Sequence, residues 1–112
     1  MNKLKTVIAE DEVPARKELA FLLTELDAIE VIGQAEDGEQ AVQVIKNKQP
    51  DLIFLDIQMP GKTGLEVAKE VQFLEKKPII IFITAYDQYA LEAFEVNAVD
   101  YILKPFERKE LK

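Results

Sequence analysis

Cysteine and histidine are both absent from the 112 residues. Without thiolate or imidazole, the chain cannot build a zinc site, a thiol nucleophile, a Ser-His triad or an imidazole general base of its own. Any metal it holds is therefore a hard cation on oxygen ligands, Mg²⁺ or Ca²⁺. Any phosphohistidine it meets belongs to another protein. No apolar run approaches the ~20 residues needed to span a bilayer. The start, Met1-Asn2-Lys3-Leu4-Lys5, leads into a short apolar run with no small-residue cleavage site. We therefore expect no signal peptide, no membrane partner and a cytoplasmic location. Basic residues are in deficit, 14 Lys and Arg against 21 Asp and Glu, for a net charge of −7. That balance argues against these residues gripping a nucleic-acid backbone, which needs a basic patch.

Hydrophobic residues make up 48% of the chain, and a chain of this length buries roughly 60–70% of its unfolded surface in one core. We expect one domain over residues 1–112. Apolar runs at 4–9, 30–35, 52–55, 79–83 and 101–103 alternate with helical patterns. Such alternation marks a parallel sheet with helices on both faces. Val7-Ile8, Ile53-Phe54-Leu55 and Ile79-Ile80-Ile81-Phe82-Ile83 are continuous, as expected of strands buried on both faces. The second run mixes in Glu30 and Gln34 and belongs nearer an edge. Leu19, Leu22, Leu23 and Leu26 form a helical stripe, with Pro14 tolerated in the first turn. Asp37 is placed to cap a helix carrying Ala41, Val42, Val44 and Ile45 inward, with Gln40 in the reciprocal capping position. Thr63-Gly64-Leu65-Glu66 reads as a capping box before a helix burying Leu65, Ala68 and Val71. Asp87 caps a shorter helix with Ala90, Leu91 and Phe94, ended by Asn97. A last helix starts near Glu107 and is too short by Lys112 to stand alone.

Right-handed βα units give a doubly wound α/β fold with a five-stranded parallel sheet, most simply in the order 2-1-3-4-5. Ligands in such sheets bind at the carboxyl ends of the strands. There the first strand runs into Glu10-Asp11-Glu12, the third ends in Asp56, the fourth in Thr84 and the fifth in Lys104. Each has a plainer explanation: Asp56 as a turn residue or cap, Glu10-Asp11-Glu12 as a solvated loop, Thr84 as a strand terminus, Lys104 as a surface cation. Their joint placement at four strand ends is the informative feature. Converging carboxylates raise one another's pKa unless a cation compensates, and Mg²⁺ favours such oxygen donors. Asp56 is then suited to act as a carboxylate nucleophile forming an aspartyl phosphate, with the metal and Lys104 offsetting phosphoryl charge.

Val7-Ile8-Ala9-Glu10-Asp11-Glu12, Leu55-Asp56-Ile57-Gln58-Met59-Pro60-Gly61, Phe82-Ile83-Thr84-Ala85-Tyr86 and Tyr101-Ile102-Leu103-Lys104-Pro105-Phe106 together resemble the receiver domains of two-component response regulators. The match is collinear and covers almost the whole chain. The resemblance implies a flavodoxin-like receiver fold and a phosphoacceptor at Asp56. It implies Mg²⁺ held by Asp11, Asp56 and the Gln58 backbone carbonyl, with Glu10 acting through water. It also implies Thr84 and Lys104 on the phosphoryl oxygens, Thr84 and Tyr101 as switch residues, and a cis bond before Pro105. Many receivers carry Asp-Asp where this chain has Glu10-Asp11, so weaker or shifted metal binding is expected. The stretch from Thr84 to Phe94, followed by Asn97-Ala98-Val99-Asp100-Tyr101, is similar to receivers joined to LytTR-type DNA-binding domains.

The expected function is thus a switch phosphorylated by a partner sensor histidine kinase, with homodimerisation on phosphorylation. DNA would be reached only through a C-terminal domain beyond residue 112. The chemistry is limited to self-catalysed phosphoryl transfer and slow autodephosphorylation, so the chain is not an enzyme in the turnover sense. A stand-alone receiver controlling a protein partner is the alternative. An aspartyl phosphohydrolase of the haloacid-dehalogenase type fits less well, because its nucleophile follows the first strand under a large cap. A receiver-like module that is never phosphorylated typically lacks one of the acceptor, acidic, Thr or Lys positions, and all are present here.

Overall fold

The computed structural model describes residues 3–85, 98 and 100–103. Strands β1 (Leu4–Ala9), β2 (Ile29–Ala35), β3 (Leu52–Leu55), β4 (Ile79–Thr84) and β5 (Asp100–Leu103) form one parallel sheet. Their order is β2-β1-β3-β4-β5, the doubly wound order expected. Helices α1 (Val13–Thr24), α2 (Gly38–Lys48) and α3 (Gly64–Val71) link the first strands. The mixed polar run is indeed an edge strand, β2. It pairs with β1 through a bulge, since Thr6 pairs Val31 while Val7 pairs Gly33. The extra residue twists that edge.

Alternation along each central strand builds two cores. Val7, Ile53, Leu55, Ile80 and Phe82 face Ala41, Val42 and Ile45 of α2 and Val67, Ala68 and Val71 of α3. Ile8, Leu52, Phe54, Ile83 and Ile102 face Leu19 and Leu23 of α1. Both faces of the sheet are therefore apolar, which is why these strands read as unbroken hydrophobic runs.

The helix ends follow local chemistry. Pro14 occupies the first turn of α1, where a missing N–H costs nothing. The Thr63 side chain accepts from the Glu66 amide while the Glu66 carboxylate accepts from the Thr63 amide, a complete capping box for α3. Asp37 caps α2 by accepting from the Gln40 amide at 2.7 Å. The reciprocal bond differs from expectation: Gln40 Oε1 accepts from the amide of Glu36, one residue before the cap. The leucine stripe also outruns its helix, because α1 ends at Thr24 and half-buried Leu26 lies in the following turn. In α3, Val67 takes the fully buried place expected of Leu65, which is half-buried. The expected helix at 87–95, Lys104, Pro105 and the helix from Glu107 lie outside the described residues. Among the described residues no helix is long and apolar enough to cross a membrane.

Candidate functional site

The sheet brings the acidic residues together through its register. Ala9 pairs with Leu55, so Glu10 and Asp56 leave adjacent strands side by side. Backbone bonds carry the ladder one residue further. The Asp56 amide donates to the Ala9 carbonyl at 2.9 Å, and the Glu10 amide to the Ala35 carbonyl at 3.0 Å. Strands β2, β1 and β3 are thus stitched together at the point where the carboxylates begin.

One carboxylate oxygen from each of Glu10, Asp11 and Asp56 lies within 4.8 Å of the others. Glu10 and Asp56 are only 3% and 5% exposed, and Asp11 is half-buried. Buried like charges at this spacing repel strongly unless a cation stands between them. All three donors are hard oxygens, and opposed ligands of a Mg²⁺ ion lie about 4 Å apart. The donor set and spread fit that ion.

Short turns fix the carboxylates. The Gln58 amide donates to Asp56 Oδ1 at 3.3 Å, and the Glu12 amide to Glu10 Oε2 at 3.1 Å. Each closes a side-chain-to-backbone turn of two residues, as Asp commonly does after a strand. Gln58 itself is exposed, whereas Thr84 is fully buried at the end of β4. Tyr101 pairs with Phe82 across β4 and β5, and their rings lie 6.3 Å apart at 55°. Being in register, Tyr101 points to the same side of the sheet as Phe82 and, two residues on, Thr84.

Two contributors to the site escape the sequence pattern. Arg16, one turn into α1, donates from Nη1 to the Glu10 backbone carbonyl at 2.8 Å, and its Nη2 lies 3.9 Å from Glu36 Oε2. Its signal is no more than a cation after three acids. Gly64 begins α3 directly against the Asp56 backbone: a Cβ there would overlap the Asp56 carbonyl and come within 2.9 Å of Ile57 Cα. Lys62, on the same loop as Gly61, donates instead to Glu70 at 2.9 Å. That bond, with further help from nearby Glu39 and Glu66, holds the ammonium's pKa above its usual value.

The model of the response regulator receiver domain matches residues 6–112. The sensory transduction protein LytT of Bacillus cereus is 45% identical over 108 residues, covering 96% of this chain and 44% of that protein. The transcriptional regulatory protein LytR of Staphylococcus aureus is 43% identical over 109 residues, covering 97% of this chain and 44% of that protein. The crystal structure of the response regulatory domain of protein mrkE from Klebsiella pneumoniae superposes with a TM-score of 0.90 at 38% identity, over 96% of this chain and 88% of that one. The chain belongs to the response regulator receiver family of two-component systems and is related to the LytT and LytR regulators. This is a signalling family rather than an enzyme family. The chain spans 44% of the length of these two curated relatives.

Proposed function

We propose that the domain is a cytoplasmic phosphorylation switch in which Asp56 accepts a phosphoryl group from the phosphohistidine of a partner sensor kinase. The observation that carries this reading is the gathering of the Glu10, Asp11 and Asp56 carboxylates within the reach of one ion. An Asp56 carboxylate oxygen attacks the phosphorus, the P–N bond to the kinase imidazole breaks, and an aspartyl phosphate remains. Asp11, Asp56 and the Gln58 carbonyl would hold a Mg²⁺ ion, with Glu10 acting through water, and the ion would supply charge neutralisation at the carboxylates and the transferring oxygens. Thr84 and Lys104 contact the phosphoryl oxygens, and Thr84 and Tyr101 pass the change to the output surface.

Residues 1–112 then form the N-terminal receiver of a longer regulator that dimerises on phosphorylation. An output domain of LytTR type, beyond Lys112, binds DNA. The length of the relatives and the description of LytR as a transcriptional regulator support this part. The test is acetyl phosphate with Mg²⁺, followed by intact-mass and peptide mass spectrometry. One phosphoryl group on Asp56 is expected, and none on the Asp56→Asn variant, which keeps the size but loses the nucleophilic oxygen. Labelling that survives in the variant would move the acceptor to another carboxylate.

A further inference from the structure

We propose that Arg16 is a positioning residue for the Mg²⁺ site: its guanidinium fixes the Glu10–Asp11 peptide and so holds the carboxylates on either side of it in register with Asp56. The inference rests on the metal-dependent reading above. The carbonyl that accepts from Arg16 Nη1 at 2.8 Å belongs to Glu10. It lies in the peptide plane that contains the Cα atoms of both Glu10 and Asp11. One hydrogen bond on that carbonyl therefore constrains the roots of two of the three clustered side chains. It also acts against the mutual repulsion of three successive acids at Glu10, Asp11 and Glu12.

Arg16 is built for this task. Its side chain is only 15% exposed, and its amide donates to the Glu12 carbonyl at 2.9 Å, so the residue is anchored in the first turn of α1. Its second terminal nitrogen faces Glu36, whose own amide is held by Gln40 Oε1 at 2.7 Å. Arg16, Glu36 and Gln40 line a polar cavity of about 250 Å³ with Gln34 and Ala35. A planar fork with separate donors can hold the Glu10 carbonyl while reaching toward Glu36, whereas a lysine ammonium is a point charge. The loop carrying Glu10 and Asp11 is thereby tied to the loop after β2.

Positioning and simple charge make opposite predictions. As a nearby cation, Arg16 would repel Mg²⁺, so its removal would tighten binding. As a clamp, its removal loosens the ligands and weakens binding. Arg16→Met keeps the aliphatic stem and removes donor and charge; Arg16→Lys keeps the charge and one reach to the carbonyl. Mg²⁺ affinity is read from backbone amide shifts in ¹H–¹⁵N NMR spectra, and Asp56 labelling by acetyl phosphate over a Mg²⁺ series up to saturation. Loss of residues that orient ligands typically costs 10–100-fold in metal affinity, so Arg16→Met should bind Mg²⁺ about 10-fold or more weakly. The Mg²⁺ dependence of its labelling should shift to higher concentration by more than its rate at saturating Mg²⁺ falls, and Arg16→Lys should fall between. Parent-like or tighter Mg²⁺ binding by Arg16→Met overturns the proposal. Should Arg16→Met fail to melt cooperatively, Arg16→Lys decides, with weaker binding supporting the clamp and parent affinity overturning it. A parent that neither binds Mg²⁺ nor takes label would defeat the underlying metal reading, whatever the variants do.

Discussion

Gly64 meets the backbone of Asp56 so closely that a single methyl group would overlap the Asp56 carbonyl oxygen. The Gly64 amide also donates to the Ile57 carbonyl at 2.8 Å, so neither side of the contact can retreat freely. Gly64→Ala must shift α3 or displace the proposed phosphoacceptor. Overpacking of this kind typically costs about 1–3 kcal/mol. Urea denaturation should show that loss, and acetyl phosphate labelling of Asp56 should slow. Parent-like values in both measurements would mean that the loop yields without cost.

Glu10 and Asp11 differ in burial, and their proposed roles differ too. Glu10 is nearly buried, with Oε2 accepting from the Glu12 amide, while Asp11 is half-buried at the mouth of the cluster. Asp11→Asn, which alters a proposed direct ligand, should weaken Mg²⁺ binding more than Glu10→Gln, which alters a residue acting through water. An NMR titration giving the reverse order would exchange the two roles.

The capping box of α3 makes a stability prediction with a pH sign. Thr63→Ala removes the acceptor for the Glu66 amide and should cost about 1 kcal/mol, typical of a lost threonine cap. The bond from the Thr63 amide holds the Glu66 carboxyl below the usual glutamate pKa. A group depressed in the folded state stabilises it above its unfolded pKa and loses that contribution as pH falls through the folded value. The stability gap between parent and Glu66→Gln should therefore be present at neutral pH and close in acid. A gap that persists unchanged at acid pH would assign the cap to something other than the carboxylate.

The sequence makes the acidic cluster legible because strand ends are legible. Continuous apolar runs mark strands buried on both faces, and a parallel sheet puts the residues after those runs on one side. Asp56 and Glu10 needed no further information. Side-chain direction was less accessible. Gln40 stands three residues after a cap, as a capping box requires, yet its oxygen serves Glu36, a choice set by the path of the preceding loop. Leu65 and Val67 are both apolar, and docking of α3 against β3 and β4 decides that Val67 goes to the centre. Arg16 carries no pattern, since a helical cation can point anywhere until a carbonyl such as that of Glu10 is fixed in space.

An aspartyl phosphate presents new acceptor oxygens, which the Thr84 hydroxyl and Lys104 ammonium are proposed to approach. Hydrogen bonds involving charged groups contribute roughly 1.5–3 kcal/mol each, and taking a two-state equilibrium from 1:99 to 99:1 requires about 5.5 kcal/mol. Two such contacts supply most of that difference. Thr84 is fully buried, so a movement toward the phosphoryl group would vacate space inside the protein. Tyr101 is the residue proposed to fill it. It shares the sheet face of Phe82 and Thr84, pairs in register with Phe82 and is only half-buried. An inward turn of that ring would remodel the surface beside β5, where a second copy or the output domain is proposed to dock. Thr84→Ala should then leave Asp56 open to labelling while uncoupling it from association. Analytical ultracentrifugation of the full regulator with beryllofluoride and Mg²⁺ should show the parent self-associating and the Thr84→Ala variant remaining mostly monomeric. Equal association of the two would remove Thr84 from the coupling path and leave Lys104 or the metal loop to carry the signal.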